Sequence, residues 1–250
     1  MRNNLFAVAL ASTVFLSQTA CGAENPRTVQ TQSGPIAVQV VASDLDDPWA
    51  VAFLPDGRML VTQRSGQIRI VTGSGQVSAP IAGVPAVYSS GQGGLLDIAL
   101  APDFAMSRFV YFSFGEPGDG GATTAVARAR FADDRLQDTT VIFRALPRTG
   151  GGAHFGSRLA FGRDGTLFVT TGERFQFDPS QDLSGHLGKV LRINGDGSVP
   201  ANNPFVGRNG ARPEIWSYGH RNVEGAAIHP ETGKLWTHEM GPAGGDELNI

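Results

Sequence analysis

One cysteine, Cys21, in 250 residues leaves this chain without an internal disulfide and without the thiolates of a structural zinc site. Charge is sparse too. Asp, Glu, Lys and Arg make up 17% of the residues, and a net charge of −3 gives no electrostatic case for a nucleic-acid partner. The body of the chain has no apolar run long enough to span a bilayer and no sustained helical heptad. None of the five histidines is paired at the spacing that puts two metal ligands on one helix face.

What the chain has in plenty is Gly (33) and Pro (15), with 41% hydrophobic residues, a composition suited to many short strands joined by turns. A pattern of apolar run, turn and second apolar run recurs in "PWAVAFLPDGRMLVTQRSGQIRIV", "LLDIALAPDFAMSRFVYFSFG", "GSRLAFGRDGTLFVTTGER" and "EGAAIHPETGKLWTHEMGP". Its turn residues Asp56, Asp103, Asp164 and Glu231 lie 47, 61 and 67 positions apart. Propeller blades of four strands repeat at about 40–50 residues before insertions, whereas a β-sandwich places its turn signals closer together. The expectation is therefore an all-β chain of β-propeller type. Because the sequence stops at "GGDELNI", in the first residues of a strand, the propeller is expected to be C-terminally incomplete, with four or five blades.

The N-terminus reads differently. "MRNNLFAVALASTVFLSQTACGAENP" carries one Arg, an apolar segment over 5–16 and then small residues, the pattern of an export signal over 1–22. Cleavage just before Cys21 would leave a lipidated cysteine and a membrane anchor; ordinary cleavage near Ala20 or Ala23 would release the chain. Both remain open, and both predict a periplasmic or secreted protein. A polar linker is expected over 23–34 and the propeller domain over 35–250.

Polar clusters fall at strand ends. His154 stands in the glycine-rich turn "TGGGAHFG", Gln92 in "SSGQGG", and His220, Arg221 and Asn222 in "SYGHRNVEG"; Gly241-Pro242 follows a strand in "HEMGPAGGDELN". A propeller builds a site from such loops. Each residue also has a plainer reading: a histidine bonded in its turn, an arginine in a strand-end ion pair, a glutamine stabilising a loop. The other histidines are expected to be structural, with His220 bordering the site, and Trp49, Trp216 and Trp236 to be packing residues.

Five stretches in order, "GQGGLLDIALAPDF", "HFGSRLAFGRDGTLFVTTGER", "LGKVLRINGDGSVPANNPF", "WSYGHRNVEG" and "HEMGPAGGDELN", resemble the soluble aldose (glucose) dehydrogenases that use pyrroloquinoline quinone, PQQ. The resemblance covers Pro48 to the last residue and implies a six-bladed quinoprotein propeller. It also implies oxidation of an aldose at C1 to a lactone, with electrons passed to an external acceptor. By the same resemblance His154 is the general base, Arg221 and Asn222 contact the cofactor and stabilise its charge, and Gln92 lies near sugar and quinone. The resemblance also has the backbone carbonyls of Gly241 and Pro242 hold a Ca²⁺ ion; Asp246 and Glu247 read either as outer-shell carboxylates or as a solvated turn, and the turn is expected. An imidazole suits the base role because its ordinary pKa, near ~6.5, lets it accept a proton at neutral pH.

Two positions depart from the pattern. Ala153 stands where some glucose-oxidising members carry an acid, and Arg174 where some carry an amide facing the sugar. The basic residues that grip the cofactor's carboxylates in the family lie beyond residue 250. The competing readings are a non-catalytic exported propeller that binds a glycan or protein, and a calcium-dependent lactonase.

Overall fold

The computed structural model describes residues 26–250, so the expected export signal and Cys21 lie outside the described residues. The chain divides into two compact units, one up to Val41 and one over Ala42–Ile250. In the first, β1 (Arg27–Thr31) pairs antiparallel with β2 (Gly34–Val38), from Arg27 opposite Val38 to Thr31 opposite Gly34. This corrects the expected 23–34 linker and the start of the propeller domain at residue 35. Thr28, Val29 and Thr31 favour extended backbone. Gly34 takes a φ of 111° at the turn, and the Thr31 hydroxyl donates to the Gly34 carbonyl at 2.6 Å.

The second unit contains four antiparallel sheets in succession. The first holds β3 (Pro48–Phe53), β4 (Met59–Gln63) and β5 (Gln67–Val71). The next holds β6 (Leu95–Leu100), β7 (Phe109–Gly118), β8 (Gly121–Ala132) and β9 (Arg135–Arg144). The third comprises β10 (Leu159–Phe161), β11 (Leu167–Thr170), β12 (Lys189–Ile193) and β13 (Ile215–Tyr218). The last has β14 (Val223–Ile228), β15 (Leu235–Glu239) and β16 (Glu247–Asn249). Each sheet meanders in chain order, as the blades of a β-propeller do.

The four turn residues read from the sequence each fall in the first connection of one sheet. Asp56, Asp164 and Glu231 sit in tight hairpin turns. Asp103 instead precedes a short helix, α1 (Phe104–Ser107), whose Phe104 is buried.

Apolar side chains fill the spaces between consecutive sheets. Leu60 and Ile68 meet Leu95, Phe112 and Phe114 in one cluster; Tyr111 and Val126 meet Leu159, Leu167, Val169, Leu191 and Ile193 in the next. Strand β8 serves both, because alternation sends Ala125, Ala127 and Ala129 to one face and Val126 to the other. Burying each such large side chain is worth roughly 1.5–3 kcal/mol.

A polar seam runs through these contacts. The Thr62 hydroxyl accepts from Ala50 N–H in its own sheet (3.0 Å) and donates to the Leu96 carbonyl of the next (2.6 Å). Ser113 does the same between Asp97 N–H (2.9 Å) and the Ser157 carbonyl (2.6 Å). Thr170 repeats it between Arg158 N–H and the Val223 carbonyl, both at 2.9 Å. All three hydroxyls belong to the second strand of a sheet and are fully buried. Thr62 and Ser113 reach where the first strand departs from regular pairing, and Thr170 reaches the residue just before β10, so each satisfies a backbone donor that the ladder leaves free.

Candidate active site

Antiparallel pairing puts the residues before the first strand of a sheet at the same end as those after its second strand. Gln92 precedes β6, His154 precedes β10 and His220 to Asn222 precede β14, while Glu173 and Gly241-Pro242 follow β11 and β15. The sequence-derived site residues therefore gather at one end of their sheets. Backbone bonds join these loops directly: Gln92 N–H donates to Gly152, and Glu173 N–H donates to Arg221, at 2.6 and 2.8 Å.

His154 is presented by backbone in the left-handed region, at φ 51°, which is uncommon for a side-chain-bearing residue and marks a constrained loop. Its N–H donates to the Gln92 side-chain oxygen at 2.6 Å. Its Nδ1 lies 2.7 Å from Glu173 Oε1, and both side chains are almost completely buried. An ionised carboxylate only accepts, so this contact places the imidazole proton on Nδ1 and leaves the Nε2 lone pair for chemistry. The second oxygen of Glu173 accepts from the N–H groups of Gln176 (2.5 Å) and Phe177 (3.2 Å), which fixes the carboxylate in place.

The next sheet repeats the arrangement. His220 Nδ1 lies 2.7 Å from Glu239 Oε1, and the histidine precedes the glutamate by the same number of residues, 19, as in the first pair. Here Nε2 is engaged, 2.9 Å from the Ser217 hydroxyl. Burial pushes the Glu239 carboxyl up, but hydrogen bonds from His220 and the Arg221 N–H outweigh it and leave the group below the usual glutamate value.

Arg221 lies between the two pairs. One guanidinium nitrogen donates to the Met240 carbonyl at 3.0 Å, and Nε stands 4.0 Å from Glu173 Oε1, buried without a hydrogen-bond partner. A cleft of about 240 Å³ is lined by Glu173, Phe177, His220, Arg221, Gly241 and Pro242, among others. Gly241 and Pro242 lie at the head of a 3-10 turn over 242–244, and Gly241 N–H is held by exposed Asp246 at 3.0 Å. No three His, Cys, Asp or Glu side chains among the described residues group to hold a metal, so an ion here would rely on carbonyl and ligand oxygens.

Two expected site residues also have structural partners. Asn222, expected to contact the cofactor, is wholly buried, and both ends of its amide are used by the protein. Its oxygen accepts from Gly156 N–H at 3.0 Å, and its nitrogen donates to Glu224 at 2.7 Å. In place of facing the cleft, it ties the His154 loop to the next sheet. Gln92 likewise holds the His154 backbone through its oxygen, although its side chain remains at the surface.

Glu173 was not singled out by the sequence reading, and Arg174 was named only as a departure from the family pattern at a sugar-facing position. Arg174 is a buried cation without a carboxylate partner among the described residues. It stacks 3.7 Å above the Phe155 ring and donates to the carbonyls of Gly151 (2.7 Å) and Ala122 (3.3 Å). Burial lowers the pKa of its guanidinium. The residue buttresses the glycine loop behind His154. His186 is structural: its Nδ1 accepts from Leu146 N–H at 3.0 Å, and Nε2 lies 3.3 Å from Glu214. Of the tryptophans, Trp49 packs against the Leu96–Phe155 cluster, whereas Trp216 is partly exposed.

The chain is similar to known proteins over most of its length. Aldose sugar dehydrogenase YliI of Escherichia coli is 48% identical over 219 residues, covering 86% of this chain and 59% of its own length. Quinoprotein glucose dehydrogenase B of Acinetobacter calcoaceticus is 32% identical, covering all of this chain and 59% of its own. The PQQ-bound aldose sugar dehydrogenase of Streptomyces coelicolor superposes with a TM-score of 0.75 at 36% identity, over 85% of this chain and 62% of that one. The chain thus spans about three fifths of the length of these relatives. The description "Glucose / Sorbosone dehydrogenase" matches residues 45–250, and the chain, an all-β propeller sequence with a His–Glu pair at its loop end, belongs to that family.

Proposed function

We propose that the full-length protein oxidises an aldose at C1 to the lactone, using PQQ held with Ca²⁺, and passes the electrons to an external acceptor. The observation that carries this reading is His154: its Nδ1 proton is held by buried Glu173, its Nε2 has no partner among the described residues, and Arg221 stands beside the pair. His154 Nε2 takes the proton of the C1 hydroxyl. Glu173 fixes the tautomer and stabilises the imidazolium that results, as a buried carboxylate does for a catalytic histidine. PQQ, when bound, supplies the hydride acceptor.

The cleft fits such a group. Arg221 carries a buried, unpartnered Nε there, ready to donate to an anionic oxygen, and a donor aimed at developing charge is where stabilisation is strongest. The carbonyls of Gly241 and Pro242 would contribute hard oxygen ligands to Ca²⁺ on the same wall, with Glu173, Glu239 and Glu247 adding negative potential. Gln92 and Asn222 would act by holding the His154 loop. A lactonase that binds calcium through carboxylates finds no such ligand group among the described residues. Export through residues 1–22, with or without lipidation at Cys21, belongs to the same proposal and is read from the mass of the mature N-terminus.

The test is aldose-dependent dye reduction by the full-length protein, with and without PQQ and Ca²⁺. Activity that needs both and disappears in His154→Ala is the expected result. A folded protein that binds no PQQ and reduces no dye with any aldose would overturn it.

A further inference from the structure

The segment after Glu173 has an unusual conformation. Arg174, Phe175 and Phe177 have φ of 61°, 63° and 59°, in the left-handed region that bulky side chains rarely occupy. Each such residue costs on the order of 1–3 kcal/mol and persists only where the surroundings enforce it. The enforcing contacts are the Gln176 and Phe177 N–H groups, both held by Glu173, the partner of His154.

This conformation places the Phe175 ring on the His154 ring. The two are stacked, with centroids 4.4 Å apart and planes 30° apart. The outcome inverts normal burial: the phenylalanine is 57% exposed, while the histidine beneath it is 2% exposed. Phe177 meets Phe175 edge-on at 6.1 Å, and the Arg221 guanidinium lies 5.5 Å from the Phe175 ring centre. An exposed apolar ring gains little from burial of its own, so burial gives no reason for the strained backbone to display it. What the ring does accomplish is to cover the face of an imidazole whose Nε2 has no hydrogen-bond partner among the described residues.

We infer that Phe175 controls access to His154: its ring covers the face of the imidazole and narrows the approach to Nε2, and it is displaced when an aldose hydroxyl is seated there. Naming an aldose as the displacing molecule rests on the function proposed above; the masking itself does not. The 174–177 segment suits a two-position element, because its strain makes the covered state only modestly favoured and its anchor is the carboxylate of the catalytic pair. Displacement and orientation of the base are thereby coupled through Glu173.

The test uses diethyl pyrocarbonate, which acylates accessible neutral imidazole nitrogen, on the full-length protein without cofactor or sugar. Labelling of each histidine is followed by peptide mass spectrometry, with partly exposed His229 as internal reference. In the parent, His154 should label much more slowly than His229. Uncovered conformers of such elements are commonly populated at about 0.1–10%, so removing the ring should speed His154 labelling at least about tenfold while His229 is unchanged. Phe175→Ala and Phe175→Asn are made side by side. Asparagine tolerates positive φ, so the second variant remains informative should the first fail to fold. Parent His154 labelling as fast as His229 would overturn the inference, and so would a natively folded Phe175→Asn protein in which His154 keeps the parent rate. Since neither PQQ nor aldose is present, these results are independent of the dye-reduction assay.

Discussion

The third and fourth sheets of the second unit carry the same His–Glu pair, with the same spacing and the same 2.7 Å contact, and they differ at the far side of the imidazole. His220 Nε2 faces the Ser217 hydroxyl, so both ring nitrogens are used by the protein. His154 Nε2 meets no protein group among the described residues, and an exposed phenylalanine lies over its ring. The two carboxylates differ in parallel. Glu239 spends its second oxygen on the Arg221 N–H at 2.6 Å and so holds the arginine's backbone, whereas Glu173 spends its own on the strained 174–177 segment. A repeated structural device thus engages both imidazole nitrogens in one sheet and, among the described residues, only one in the other.

This contrast can be broken most sharply at the histidines. His154→Ala should lower kcat by about a hundred- to ten-thousand-fold, the range for losing a general base. His220→Ala should instead show its main effect as a lowered melting temperature. Equal loss of turnover in two well-folded variants would remove the distinction. Glu173→Gln comes next. Loss of a hydrogen bond to a charged group costs about 1.5–3 kcal/mol, so kcat should fall roughly ten- to a hundredfold with the aldose KM much less affected.

Acid should act on the fourth sheet through Glu239. The Glu239 carboxyl lies below its ordinary value of 4.5 in the folded protein, so it contributes stability that is complete above that pH. The contribution is lost as the pH falls through the lowered value. Melting temperature should therefore decline below pH 4.5, and this part of the decline should be missing in Glu239→Gln. The smallest effect belongs to Ser217→Ala, which frees His220 Nε2 for about 1 kcal/mol or less of stability, measured by denaturant unfolding. Turnover should be unchanged, because the His154–Glu173 pair is left intact.

Much of this was legible in residue patterns. Asp56, Asp164 and Glu231 mark hairpins because Asp-Gly and Thr-Gly sequences supply the backbone that such turns require. His154, Arg221 and Gly241-Pro242 were readable as loop residues at strand ends, and the fold brings those loops to one end. Other features depended on tertiary partners. The amide of Asn222 reads as a ligand until the fold shows Gly156 and Glu224 at its two ends. Glu173 sits in "TTGER" with nothing local to distinguish it from a surface glutamate, although the equal spacing of His154–Glu173 and His220–Glu239 was a signal in plain view. The β1–β2 hairpin was missed because a polar surround hid three β-branched residues. Helix α1 is a single turn, too short for periodicity to reveal.

The hydroxyls of Thr62, Ser113 and Thr170 have an implication for how such a chain could have grown. The second and third sheets each offer a plug to their successor and a socket to their predecessor, so the unit that repeats is the junction, of which such a sheet forms half of two. A duplicated segment carries both halves with it and clips onto its parent without new chemistry. Valine, a stronger strand former of nearly the same shape as threonine, would fill these positions and leave the successor unfastened, which explains why apolar strands stop for a hydroxyl at the same place three times in one molecule.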